Sequence, residues 1–278
     1  MKRINRTFSV APMMDWTDRH CRYLHRLISK NVLLYTEMVT APALIHGDAD
    51  RLLEFNQSEH PIALQIGGSH PNQLAQATRL GCEAGYDEIN INIGCPSDRV
   101  QSGRFGACLM KEPELVSECV TAMKEASTGA EITVKCRIGV DDQEPKRILP
   151  DFIDKVSQNG VSSFTIHARK AWLSGLSPKQ NRDVPPLDYE LVHEIKKERP
   201  ELEIILNGGL QTFDQAVHEI NKGLDGAMIG RTAYHNPMEI LANADSLFET
   251  NTNKKSVNKI IDEMLPYIQN HLDTGGRL

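Results

Sequence analysis

Eight short apolar runs, each followed by a stretch with helical spacing, constrain this chain more than any other feature of its sequence. The runs are Phe8–Met14, Val32–Met38, Pro61–Gly68, Asp87–Cys95, Ile132–Gly139, Ser163–Arg169, Glu203–Gly209 and Gly226–Arg231. After the first, Asp18 is placed to cap a helix carrying Tyr23, Leu24, Leu27 and Ile28 at helical spacing. Further helices are expected over 41–46, 71–84, 113–126, 150–159, 188–198, 212–222 and 236–248. Eight strand–helix units within about 235 residues predict a (β/α)8 TIM barrel, for which roughly 250 residues is typical. The competing α/β architecture, a doubly wound open sheet, wants a G-x-G-x-x-G turn after its first strand. Val10-Ala-Pro-Met-Met-Asp15 is not such a turn. A polar linker, Asn251–Ser256, then leads to a helix with Ile260, Ile261, Met264, Leu265 and Ile268 on one face. The expected organisation is a barrel over 1–250 and, over 251–278, the beginning of a helical domain that the chain leaves incomplete.

Among the strands, Asp87-Glu-Ile-Asn-Ile-Asn-Ile-Gly-Cys-Pro96 is the most informative. Ile89, Ile91 and Ile93 alternate with Glu88, Asn90 and Asn92. Asparagine is depleted in strands, and a buried amide is costly unless hydrogen-bonded. Gly94 permits close backbone approach, and Pro96 ends the ladder. A thiol and two amides are thus presented at the C-terminal end of a strand, the end where parallel α/β proteins carry their chemistry.

Three further groups of residues fall at the same rim. Asn207-Gly208-Gly209 closes the seventh strand and Gly230-Arg231 the eighth, the two loops where barrels commonly hold a phosphate. Turns that simply need glycine would read the same way. Lys135 and His167, on strands five and six, can donate hydrogen bonds to an electron-rich heteroaromatic ring, and Gln65 on strand three can join them. Cys95 has two chemical readings. A nucleophile would want a depressed pKa and a nearby base; a general acid would want the neutral thiol, which an ordinary pKa of about 8.5 supplies at pH 7.

The chain carries a net charge of −6, so a nucleic-acid partner needs a local basic patch. Arg169, Lys170, Trp172, Lys179 and Arg182 follow strand six, and Arg99 and Arg104 follow strand four. Such loops suit stacked bases and phosphates, or are merely solvated charge. The six cysteines form no C-x-x-C pair, which argues against structural zinc and for free thiols in a reducing compartment. The N-terminus lacks the apolar segment of a signal peptide, and no run is apolar enough to span a bilayer.

Together these motifs resemble the tRNA-dihydrouridine synthases. The matching segments are Ala11-Pro-Met-Met14, Gln65-Ile-Gly-Gly68, Asn90-Ile-Asn-Ile-Gly-Cys-Pro96, Lys135-Cys-Arg-Ile-Gly139, Ile166-His-Ala-Arg169, Asn207-Gly-Gly209 and Gly230-Arg231. His167-Ala-Arg-Lys-Ala-Trp-Leu173 with the following Gly-Leu-Ser-Pro178 is similar to the bacterial A-type branch, which acts around D-loop positions 20 and 20a. The resemblance implies a cytoplasmic flavoenzyme with FMN on the C-terminal rim. Pro12, Met13 and Met14 would border it, and Gln65, Lys135 and His167 would meet its ring. Asn207, Gly208, Gly209, Gly230 and Arg231 would hold its phosphate end. Reduced FMN would deliver hydride to C6 of a flipped-out uracil, Cys95 would protonate C5, and NADPH would re-reduce the flavin. Asn92, Lys179 and Arg182 would contact the tRNA. The resemblance also implies a complete C-terminal helical domain, which this chain only begins. Two other functions fit the residues less fully: an FMN barrel acting on a free pyrimidine, and a non-catalytic RNA-binding barrel.

Overall fold

All eight expected strands are present and close on themselves. The computed structural model describes residues 4–248 and 254–276, apart from the Arg99 side chain. The strands are β1 (Phe8–Val10), β2 (Leu33–Thr40), β3 (Ile62–Gly67), β4 (Glu88–Ile93), β5 (Glu131–Arg137), β6 (Ser163–His167), β7 (Glu203–Asn207) and β8 (Gly226–Ile229). They pair in chain order, all parallel, and β8 returns to β1. Along β4, Ile89, Ile91 and Ile93 join the large apolar cluster, while Glu88, Asn90 and Asn92 occupy the alternate face. A second, smaller cluster of Ala11, Leu33, Tyr35, Ala63, Ile205 and Met228 is separate from it. Among the described residues no helix is long and apolar enough to cross a membrane.

Several element boundaries differ from the sequence expectation. β1 ends at Val10, because Pro12 has no N–H for a ladder and Asp15 turns at positive φ. The helix expected from Pro150 begins at Pro145 and runs to Ser157, so Pro145 is the first-turn proline and Pro150 lies inside. The expected helix 236–248 is three short pieces with the preceding turn: Arg231–His235, Pro237–Leu241 and a 3-10 turn, Ala244–Phe248. Pro237 keeps Asn236 out of the helical region and breaks the run. β8 stops at Ile229, so Gly230 precedes the short helix that Arg231 opens.

The N-terminal end of the barrel is closed by ions. Arg6 is buried and reaches three carboxylates, each at 2.8 Å: Glu88 through Nε, Glu203 through Nη1 and Glu131 through Nη2. Tyr35 donates its hydroxyl to Glu88 at 2.6 Å. Burial alone would lower the Arg6 pKa, but Glu88 and Glu203 more than reverse this and hold it above its ordinary value. Gly226 allows the close approach at this end: a Cβ there would stand 2.1 Å from the Arg6 carbonyl oxygen.

The linker residues Asn251–Asn253 lie outside the described residues. Ser256 caps the helix Val257–Asp273, which docks on the helix Arg19–Ile28. Tyr267 stacks on Tyr23 at 3.9 Å and meets His20 Nδ1 at 2.8 Å, and Ile260 is buried. The docked face is therefore Ile260, Tyr267 and His271. Ile261 and Leu265, expected on the covered stripe, are 50% and 56% exposed. Each lies roughly a quarter-turn or more around the helix from the aromatic contacts.

Candidate active site

The C-terminal end of the barrel opens into a cavity of about 1000 Å³. That is at the upper end of small-molecule sites, roughly 300–1000 Å³, and accommodates a ring cofactor together with a base. Gln65, Asn92, Cys95, Lys135 and His167 all line it, so four consecutive strands, β3 to β6, contribute at one mouth. Pro12, Met13 and Met14 line the β1 side; Asn207, Gly208, Gly209, Gly230 and Arg231 line the β7–β8 side. Among the expected tRNA contacts, Arg182 lines the cavity, whereas Lys179 is exposed and contributes nothing to its wall. Arg104 is likewise exposed outside it, and the Arg99 side chain is outside the described residues.

β4 positions the thiol through its amides. Asn92 Oδ1 accepts from the backbone N–H of Gly94 (3.0 Å) and of Cys95 (2.9 Å). Its Nδ2 donates to Gln65 Oε1 at 2.8 Å. The Cys95 carbonyl accepts from Ala107 N at 2.9 Å, and its half-buried Sγ is 3.5 Å from Ser97 Oγ. The loop carrying the thiol is thus pinned by its own backbone, leaving the side chain to face the cavity.

Lys135 and His167 are positioned by the end of β7 and the turn after it. Lys135 donates to Asn207 Oδ1 at 2.8 Å, and Asn207 Nδ2 donates to Met228 O at 2.8 Å. Burial, reinforced by Arg137, pushes the Lys135 ammonium down to about 8. Burial, then Arg137 and Lys135, hold His167 well below the usual imidazole range, so its ring is neutral at pH 7. Gly208, at φ +100°, packs directly on this ring: a Cβ there would be 2.2 Å from the imidazole. Tyr189 fixes the same turn by donating to Gly208 O at 2.5 Å.

Arg137 and Asn181 hold the rim together, and sequence reading gave neither a role. Arg137 is buried and, among the described residues, bonds to three carbonyls: Gly94 O (2.9 Å), Lys170 O (3.0 Å) and Asn181 O (2.9 Å). It therefore ties the loop before Cys95 to the long loop after β6. Asn181, fully buried, accepts from Trp172 N at 2.7 Å and donates to Trp172 O at 2.9 Å and Leu176 O at 3.1 Å. The only advance signal for Asn181 was an amide between two charged loop ends. Around the mouth, Lys135, Arg137, Arg169, Arg182 and Arg231 gather, with Asp183 pairing Arg231 at 2.8 Å. An acidic chain thus focuses positive potential on one cavity, the field an anionic ligand needs.

The chain compares directly with known proteins. A dihydrouridine synthase (Dus) family profile matches residues 9–278. It is 55% identical over 278 residues to the tRNA-dihydrouridine(20/20a) synthase of Shewanella oneidensis, covering 100% of this chain and 82% of that protein. The Vibrio cholerae protein of the same name is 56% identical over 272 residues, covering 97% of this chain and 82% of its own length. That of Pseudomonas aeruginosa is 52% identical over 275 residues, covering 99% and 82%. A parallel eight-stranded barrel with a thiol, amides and cations at one mouth, matched along nearly its whole length, belongs to the dihydrouridine synthase family of oxidoreductases.

Proposed function

We propose that this chain reduces uridine to 5,6-dihydrouridine in tRNA, at positions 20 and 20a, using FMN and NADPH. The observation that carries the reading is the convergence of Cys95, Asn92, Gln65, Lys135 and His167 on one cavity. The names of the similar proteins supply the substrate and its positions. The donor set fits a flavin: Lys135 and His167 offer N–H groups to an electron-rich ring, and the Asn207–Gly209 and Gly230–Arg231 turns with Arg169 suit a phosphate.

Reduced FMN would supply hydride to C6 of the uracil, and NADPH would restore it. Hydride addition leaves a carbanion conjugated with the base carbonyl, so C5 needs a proton; the Cys95 thiol, on the loop pinned by Asn92, is the candidate acid. Asn92 orients the base, and Arg182 and Lys179 hold the RNA around it. The target base must leave its stack to enter a cavity built inside the barrel mouth. We read 1–250 as the FMN-binding barrel and 251–278 as a helical segment serving the tRNA, and place the enzyme in the cytoplasm.

Purified protein is expected to be yellow, to bleach with NADPH, and to form dihydrouridine in unmodified tRNA, read by mass spectrometry of digests. Turnover on free uridine but not on tRNA would instead assign it to free pyrimidines. Colourless protein that binds tRNA without reducing it would defeat the enzymatic reading.

Lys135 adds a pH dependence. It is cationic below about 8 and neutral above. Hydrogen-bond acceptors of a ring beside it favour the protonated form, so binding takes up a proton once the free lysine has lost its own, and affinity falls as pH rises. FMN affinity, followed by quenching of flavin fluorescence, is expected to weaken from pH 7 to 9.5 by up to about ten-fold per unit above the midpoint. Lys135→Met should bind weakly with no such limb; a flat wild-type profile would remove Lys135 from the ring's neighbourhood.

A further inference from the structure

The amides behind Cys95 belong to a longer chain of bonds that crosses the barrel. From the mouth downward, Gly94 and Cys95 N–H donate to Asn92 Oδ1, and Asn92 Nδ2 to Gln65 Oε1. Gln65 Nε2 then donates to Asn90 Oδ1 at 2.8 Å, and Asn90 Nδ2 to Thr133 Oγ1 at 2.8 Å. Thr133 Oγ1 donates to Glu88 Oε1, whose other oxygen is ion-paired with Arg6. Gln65, Asn90, Asn92, Thr133 and Glu88 are all buried.

Both ends of this ladder have a fixed polarity. Backbone N–H groups at the top can only donate, and a carboxylate at the bottom can only accept. Every rung between them must therefore donate downward, and no amide can flip without setting two donors or two acceptors face to face. Inside a low-dielectric barrel such a clash is costly, and bonds aligned head to tail strengthen one another. Asn92 lines the cavity, and both lone pairs of its oxygen are occupied by backbone N–H groups. What it has left for a ligand is its second Nδ2 hydrogen.

We propose that Glu88, Thr133 and Asn90 are positioning residues for the reaction: their one-way ladder fixes the orientation of Gln65, Asn92 and the Cys95 backbone, so that the cavity offers a base an N–H donor. This rests on the reading of the cavity as a uracil site. A donor at Asn92 matches a base carbonyl and mismatches the 4-amino group of cytosine, so the ladder also selects the base. Thr133 and Asn90 act through Gln65 and Asn92 and touch no substrate themselves.

Thr133→Val keeps the shape of residue 133 and removes one rung. The Gln65 and Asn92 side-chain amides, followed by NMR on purified protein without tRNA or NADPH, should exchange about ten-fold faster or more and lose their single conformation. Reduction of tRNA should fall about ten-fold or more in kcat, with little change in tRNA affinity and with NADPH still bleaching the flavin. Preference for tRNA bearing uridine over cytidine at the target position should narrow. Thr133→Ser, which restores the hydroxyl, should return all three to within about three-fold of wild type. Tyr35→Phe removes a different hydroxyl from the same Glu88 oxygen without breaking the ladder, and should leave the amides unchanged. If Thr133→Val does not accumulate as folded protein, Asn90→Ser breaks the next rung and is held to the same expectations. Wild-type amide behaviour in the broken variant, or an equal disturbance in Tyr35→Phe, overturns the proposal. The amide measurement needs no turnover, so it decides the ladder even if the wild-type protein fails to reduce tRNA.

Discussion

Cys95→Ala should retain its flavin and its bleaching by NADPH at the wild-type rate, yet reduce tRNA at least about a hundred-fold more slowly, as loss of a general acid implies. The separation follows from how residue 95 is held. Its backbone N–H bonds Asn92 and its carbonyl accepts from Ala107, and alanine keeps both. Among the described residues its Sγ has a single, long hydrogen-bond contact, to Ser97 Oγ at 3.5 Å. Removing the sulfur therefore disturbs neither the loop nor the amides, while the proton that the proposed reaction requires at C5 would lose its source. Cys95→Ser tests the acid more finely, because a hydroxyl at the same position is a far weaker acid than a thiol and should recover only a small part of the rate. The visible spectrum, the thermal midpoint and a digest of the tRNA read the three consequences separately. Loss of flavin from Cys95→Ala, or tRNA reduction at the wild-type rate, would remove the thiol from the reaction.

The strands and their rim residues were legible because each broke a local rule. Two asparagines on one face of a strand, and a lysine and a histidine amid apolar neighbours, are costly unless partnered, and the barrel supplies partners: Gln65 and Thr133 on the adjacent strands for Asn90, and Asn207, two strands away, for Lys135. Helix boundaries were legible only where a proline or cap was unambiguous. Reading Pro150 as a helix start placed that helix five residues late, at Pro150 instead of Pro145, because a first-turn proline and an interior proline look alike without the neighbouring contacts. The roles of Arg137 and Asn181 could not be read in advance. They bond to backbone carbonyls of loops whose meeting depends on barrel closure, and a carbonyl has no sequence signature. The exposed turn carrying Lys179 shows the converse: charge in the right loop does not decide which residue turns toward the cavity.

The Arg6 cluster was invisible for the same reason, and its removal should produce the largest loss of stability in the molecule. Its partners Glu88, Glu131 and Glu203 are 82, 125 and 197 residues away in sequence, each at the start of a strand where a charge ordinarily meets solvent. Closing the barrel brings all three onto one guanidinium. Arg6→Met would fill much of the volume but leave three carboxylates crowded together, with Glu88 fully buried. Breaking a buried ion pair from one side costs about 3–5 kcal/mol, a large fraction of the roughly 5–15 kcal/mol that holds a domain folded. The pH dependence distinguishes this from a simple packing defect. Without Arg6 the crowded carboxylates would bind protons more readily folded than unfolded, so their folded-state pKa values would rise. Groups shifted that way make stability fall as pH rises, and the penalty disappears once they are protonated. The deficit of Arg6→Met in urea unfolding should therefore be largest at pH 7 and shrink toward pH 5, and Glu203→Gln in the same background should recover part of it by removing one charge. A deficit equal at both pH values would mean that lost packing, and not uncompensated charge, is what Arg6 prevents. The same cluster anchors Glu88 beneath the amide ladder, so a wild-type-like Arg6→Met fold that still reduces tRNA normally would also separate the ionic plug from the chemistry above it.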